Sequence, residues 1–318
     1  MSTDTLRWTH LMPETVEAWA ELTEVLAEAD GTGEAYESED LAEELTETGF
    51  TPEHDSWAVW DEDRLVAYGQ VRVGLETDYE GRARSHLSGG VHPQWRGRGI
   101  GRALMDRMEE RAVALAAERH PGVPAYVRAW GGLNGSSARR MLAHRGYAVV
   151  RYFEDLARPL PGPALPDLAV DGVTLVSQSD GYEEAARVAH NTAFADHWGS
   201  AAIPADEWHH HWASRSSRPA LSTLAVDDDG AVLAYVLVGR YRPGTLYVAI
   251  VGTVPTARGR GLAAACLTRS LALAAETGEY DTAELGVDSA SLTGATRLYE
   301  RLGFETVRTL AAMQRDLP

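Results

Sequence analysis

The sequence predicts two copies of one α/β domain in tandem, and three observations carry that prediction. A glycine-rich turn occurs twice, each time between an apolar, strand-like run with a proline and a helical run rich in Ala and Leu. The last helix of each half ends alike, in Ala143-His144-Arg145-Gly146-Tyr147 and in Glu300-Arg301-Leu302-Gly303-Phe304, where the glycine suits a left-handed cap. Between the halves lies Arg158-Pro159-Leu160-Pro161-Gly162-Pro163-Ala164-Leu165-Pro166-Asp167, whose prolines cannot continue a helix or an interior strand. The expected division is residues 1–157, a linker over 158–171, and residues 172–318, and the length of 318 suits two cores better than one.

The elements follow in the same order in both halves. In the first, Val16, Trp19, Leu22, Val25 and Leu26 mark a helix over 13–26, and Ser38 is placed to cap a short second helix. Trp57–Trp60 and Leu65–Val71 read as a hairpin, His86–Val91 as the strand entering the turn, and Gly99–Glu118 as a long helix. Ala125–Trp130, Ser136–Arg145 and Tyr147–Leu156 add a strand, a helix and a strand. The second half repeats this with a strand at Val173–Val176, helices at Asp180–Phe194 and Pro204–Arg215, and a hairpin turning at Asp227-Asp228-Asp229-Gly230. Thr245–Val251 enters the second turn, Gly261–Thr277 is the long helix, and Ala283–Val287, Leu292–Arg301 and Phe304–Leu310 close the unit.

Composition removes several classes of function. A net charge of -18 lacks the basic footprint that nucleic acid requires, and it suits a cationic substrate such as a small-molecule amine. No apolar run approaches the roughly 20 residues that span a bilayer, and Met1–Arg7 has no secretory pattern, so a cytoplasmic protein with no membrane partner is expected. Cys266 is the single cysteine; in Ala263-Ala264-Ala265-Cys266-Leu267 it reads as a small buried residue. No metal is expected: His209-His210-His211 are consecutive on a helix, so their side chains diverge by about 100° each and do not converge on one ion.

A strand, a tight glycine turn and a helix start gather unpaired backbone N–H groups at one point, which favours a phosphate or pyrophosphate. A Walker loop needs a lysine, and the chain has none; a dinucleotide fingerprint would open the first βαβ unit, whereas these turns fall mid-domain after a hairpin. Arg96-Gly97-Arg98-Gly99-Ile100-Gly101 and Arg258-Gly259-Arg260-Gly261-Leu262-Ala263 resemble the Arg/Gln-x-x-Gly-x-Gly/Ala loop of the GCN5-related N-acetyltransferases (GNAT). The two-domain layout is similar to that of the mycothiol synthases, whose C-terminal domain carries the chemistry.

The resemblance implies, for each half, a mixed, mostly antiparallel central sheet flanked by helices. It also implies acetyl-CoA as donor and acetyl transfer to an amine. The implied acetyl-CoA contacts are Val91, His92 and the loop Arg96, Gly97, Arg98, Gly99, Ile100 and Gly101 in the first half. In the second they are Thr253, Val254, Arg258, Gly259, Arg260, Gly261, Leu262 and Ala263. Asn134 matches the family's pantetheine-binding asparagine, with Ser291 in its place in the second half. Ala295-Thr296-Arg297-Leu298-Tyr299-Glu300-Arg301-Leu302-Gly303-Phe304 matches the family's last helix, making Tyr299 the implied general acid, whereas the first copy has Leu142 there. The strand before the second loop has no carboxylate, so Asp196, His197, Glu207 and His209 are the candidates for a base, each equally a member of a polar helix face. The expectation is a catalytic second half and a non-catalytic first half, in a monomer or homodimer; the alternative is an acyl-CoA-binding or sensing protein without turnover.

Overall fold

The computed structural model describes residues 6–33, 35–166, 168–290 and 294–318. The chain divides into two compact units, Met1–Tyr152 with Leu310–Pro318, and Phe153–Thr309. The first half supplies β1 (Arg7–Thr9), α1 (Val16–Asp30), α2 (Ser38–Glu44), α3 (Pro52–Asp55), β2 (Ser56–Asp61), β3 (Arg64–Val73), β4 (Ala83–Val91), α4 (Ile100–Arg119), β5 (Ala125–Gly132), α5 (Ser137–His144) and β6 (Ala148–Pro159). The second supplies β7 (Thr174–Ser177), α6 (Glu183–Ala193), α7 (Ala205–Trp212), β8 (Thr223–Val226), β9 (Val232–Gly239), β10 (Gly244–Thr253), α8 (Leu262–Thr277), β11 (Tyr280–Asp288), α9 (Ala295–Arg301) and β12 (Glu305–Asp316).

Each unit has the mixed sheet that the sequence implied. In the first the order is β1-β2-β3-β4-β5-β12, antiparallel except for the parallel pair β4–β5. In the second it is β7-β8-β9-β10-β11-β6, antiparallel except for β10–β11. β6 runs past Tyr152 to Pro159, so Arg158 and Pro159, read from sequence as the start of the linker, end a strand paired with β11. The Arg158 side chain is buried and donates to the carbonyls of Leu302 and Pro163, which ties that segment to the residue after α9 within the second unit.

Helices cover both faces of the first sheet. Ile100, Leu104 and Met108 of α4 pack on Val71, Leu87, Val127 and Ala129, while Trp19 and Leu22 of α1 pack with Leu41, Ala58 and Leu65 opposite. In the second unit Leu262, Leu267 and Leu271 of α8 share a core with Trp208 and Trp212 of α7. Cys266 is fully buried there, and burial pushes its thiol up to about 12, an inert state. One cap differs from expectation. Glu37, not Ser38, holds the cap position of α2, and Ser38 is the first helical residue, its hydroxyl turned to the Glu39 carboxylate. Among the described residues no helix is long and apolar enough to cross a membrane.

Candidate active site

Two strands that should pair along their length come apart. β4 and β5 are in register from Ala83 with Ala125 to Leu87 with Ala129, and Ser88–Val91 continue beside β3 alone. β10 and β11 pair from Gly244 to Tyr247, after which Val248–Thr253 stay with β9 through a bulge at Ala249. The far edge of each strand end thus offers peptide groups with no β-partner, and buried peptide groups require one. An extended ligand carrying amides meets that requirement as an added strand would.

The loops begin where the strands end. A single tight turn, Pro93–Trp95 or Pro255–Ala257, leads to Gly97 and Gly99 (φ +76° and +87°) and to Gly259 and Gly261 (φ +79° and +82°). These left-handed values favour glycine. Gly99 and Gly261 are the N-caps of α4 and α8, and neither helix start has a side-chain cap. The first-turn N–H groups have no partner within their helix, and the turns before them are open: nothing lies within 4 Å of a Cβ placed on any of these glycines. A strand edge for amides beside a bare helix start for phosphates fits the coenzyme A group that the sequence implied.

Tyr299 lies on α9 with 6% of its surface exposed, its ring 6.1 Å from that of Phe304. Burial raises its hydroxyl to about 12, so it is protonated at neutral pH. Leu142 on α5 is buried likewise and has no group that can donate a proton.

The acetyltransferase (GNAT) family model matches residues 16–126 and, again, 184–304. The chain belongs to the GNAT family. A mycothiol acetyltransferase of Salinispora tropica is 35% identical over 228 residues, 67% of each chain. A GCN5-related N-acetyltransferase from Sphaerobacter thermophilus superposes with a TM-score of 0.75 at 26% identity, covering 99% of this chain and 97% of that one. A tandem GNAT protein from the clavulanic acid biosynthesis pathway does so with a TM-score of 0.71 at 19% identity, over 98% of both chains. This tandem GNAT protein is an N-acetyltransferase.

Within the GNAT units, the sequence-predicted residues separate into groups. Ile100 and Leu262 are buried, so only their backbone is available, and Val254 donates its N–H to Leu233. Thr253 pairs with Ala234, and Ala263 lies in the first turn of α8. Gly101 packs its Cα side toward Met141 and Val91. His92 accepts the Gln94 N–H at Nδ1, with Arg64 2.8 Å from Nε2. Arg98 donates to the Gln94 carbonyl and Arg260 to that of Asp171. Asn134 accepts from Arg139 at 3.3 Å. Ser291 lies outside the described residues.

The leading arginine of each loop does something the sequence did not suggest. Arg96 forms a two-pronged pair with Asp30, the last residue of α1, at 2.8 and 2.7 Å. Arg258 does the same with Asp196 at 2.7 and 3.1 Å and also donates to the Ala193 carbonyl at the end of α6. Each loop is thereby fastened to the end of its unit's first long helix, α1 or α6, with the cation at the negative helix end. Asp30 and Asp196 stand 66 and 62 residues before their arginines, so aligning the two copies on their loops leaves the aspartates four positions apart and hides the match.

Asp196 is therefore engaged, and the Arg258 hydrogen bond holds its carboxyl below the ordinary 3.8. Its side chain and that of Arg258 are 60% and 32% exposed, so Asp196→Asn should cost at most about 1 kcal/mol. A depressed carboxylate stabilises above its unfolded value, and that contribution is lost as pH falls through the folded one. The difference between variant and wild type in urea midpoint should thus be present at pH 7 and vanish in acid; a difference that persists in acid would contradict the pairing. Asp196 and His197 sit in the turn after α6, not in the helix as expected, because the helix closes at Phe194, whose N–H bonds His190. His197 faces Ser200 at 3.3 Å; Glu207 occupies the first turn of α7, and His209 contacts Glu183 at 2.8 Å. Among the described residues no group of three His, Cys, Asp or Glu side chains is placed to hold a metal.

Sequence reasoning also missed His190. Its Nδ1 lies 2.7 Å from the Tyr235 hydroxyl, with the ring stacked on Phe194 and beside Trp208. Burial, then the neighbouring His211, lowers it from 6.5 to about 4. Between those values the unfolded chain binds the extra proton, so stability should fall as pH drops from 6.5 toward 4, by up to about 3 kcal/mol. Urea melts of wild type and His190→Gln across that range check this: the variant should lose part of the slope.

Proposed function

We propose that this N-acetyltransferase moves an acetyl group from acetyl-CoA to the primary amine of a small molecule by direct attack, with its second unit performing the chemistry. The observation that carries this reading is the combination found in the second unit alone: a splayed β10, a bare α8 start, and the protonated, buried Tyr299. Acetyl-CoA supplies the acetyl group, and its thiolate leaves the acetyl carbon as the amine bonds to it. The N–H groups of Gly261, Leu262 and Ala263 face its phosphates, the free edge of β10 pairs with its amide arm, and the Tyr299 hydroxyl gives the departing sulfur a proton.

The first unit keeps the splay and the bare helix start but has Leu142 at the donor position, which favours binding without turnover there. The net charge of -18 favours a cationic amine, and the mycothiol acetyltransferase relatives make an amine of the mycothiol type the first acceptor to test. The test is release of free thiol from acetyl-CoA on addition of small amines, with acetylated product identified by mass. Thiol release that no amine accelerates would overturn the reading.

A further inference from the structure

β10 before the second loop carries no carboxylate, yet the neighbouring strands bring one to the place where β10 and β11 part. The last residues in parallel register are Tyr247 of β10 and Glu284 of β11. Two residues on, Gly286 is exposed and stands directly opposite Asp155 of β6. A Cβ placed on Gly286 would lie 3.6 Å from Asp155 Oδ1 and 3.7 Å from the Tyr247 hydroxyl. A carboxylate and a phenol therefore converge over a floor that only the missing side chain leaves open.

We infer that Asp155, Tyr247 and Gly286 form the subsite for the acceptor's ammonium group, with Asp155 as the base that neutralises it. This rests on the acetyl-transfer reading above. The position follows from the topology, because the strands separate at Tyr247, so the end of a ligand lying along the free β10 edge reaches this point. The chemistry follows from the surroundings. Arg308 pairs with Asp155 at 2.8 Å, and Arg242 pairs with Glu284 at 2.5 Å, so the site is near neutral and its carboxylate is held in place. Burial, with the Glu284 charge adding, raises the Asp155 carboxyl against the opposing pull of Arg308, which strengthens it as a base. In the step, the ammonium N–H proton passes to Asp155 and the freed nitrogen pair bonds the acetyl carbon. The carbon–sulfur bond breaks and the sulfur takes the Tyr299 proton; the acylated nitrogen gives up its second proton, which restores the Tyr299 hydroxyl, and Asp155 returns its own to solvent.

Gly286→Ala is the cleanest probe. Its φ is not left-handed and the added methyl would make only ordinary contacts, so the fold is retained while the floor is filled. With ethanolamine, 1,4-diaminobutane and glucosamine as acceptors, its KM for the amine should rise about tenfold while acetyl-CoA affinity stays unchanged. Asp155→Asn should lower kcat/KM for the amine about 100-fold, and Asp155→Glu should recover part of it. Calorimetric titration of the best amine into the CoA-saturated protein should show the same loss in both variants. Wild-type activity with both variants unchanged toward the amine would overturn this inference and leave the acetyl-transfer reading standing. A wild type that neither acetylates nor binds any of the three amines would overturn both.

Discussion

Replacing Tyr299 by Phe is expected to lower turnover about 100-fold or more while acetyl-CoA affinity stays where it is. The substitution removes one oxygen from a side chain whose ring packs beside Phe304 and is otherwise buried, so the core is preserved. What disappears is a hydroxyl that burial keeps protonated, with its value near 12, and hence the proton proposed for the leaving sulfur. A loss confined to the chemical step appears as a fall in kcat with KM little changed. Stopped-flow thiol release and calorimetric binding measure the two quantities separately. Unchanged turnover would remove Tyr299 from the mechanism.

Gly261→Val should have the second large effect, on binding. At φ +82° a β-branched residue strains the turn by about 1–3 kcal/mol, and its side chain would stand over the α8 N–H groups. Nothing within 4 Å opposes the new Cβ, so packing is spared and the damage falls on the open space before the helix. Acetyl-CoA affinity is expected to fall about 100-fold or more, with kcat/KM following. The matched change in the first unit, Gly99→Val, creates the same strain at φ +87° and should leave turnover near wild type. Activity lost in Gly99→Val and kept in Gly261→Val would exchange the roles of the two units.

What the sequence made legible was local. A glycine forced to positive φ, a proline before a turn, and the 3.6-residue spacing of Ile100, Leu104 and Met108 all report conformation within a few residues. What it hid was partner choice across distance. Nothing in Ala311–Asp316 says that these residues pair with β5, some 180 positions earlier, and so belong with the first unit. Asp155 read only as a residue of an ordinary strand; its place opposite Gly286 depends on a register that no local pattern specifies. Arg96 and Arg258 read as phosphate ligands because the loop motif names them, while the aspartates that engage them lie on a separate element.

The allocation of Leu310–Pro318 to the first unit has a consequence for synthesis of the chain. A domain encoded at the start of a message ordinarily folds while the rest is still being translated. This one cannot finish so early: the partner of β5 lies at Ala311–Asp316, after the whole of the second unit, so its sheet keeps an unprotected edge until those residues are made. The second unit, closed by Phe153–Thr309, is complete first, despite being made later. Released chains truncated after Thr309 should therefore contain a protease-resistant second half and a susceptible first half, the reverse of the order of synthesis.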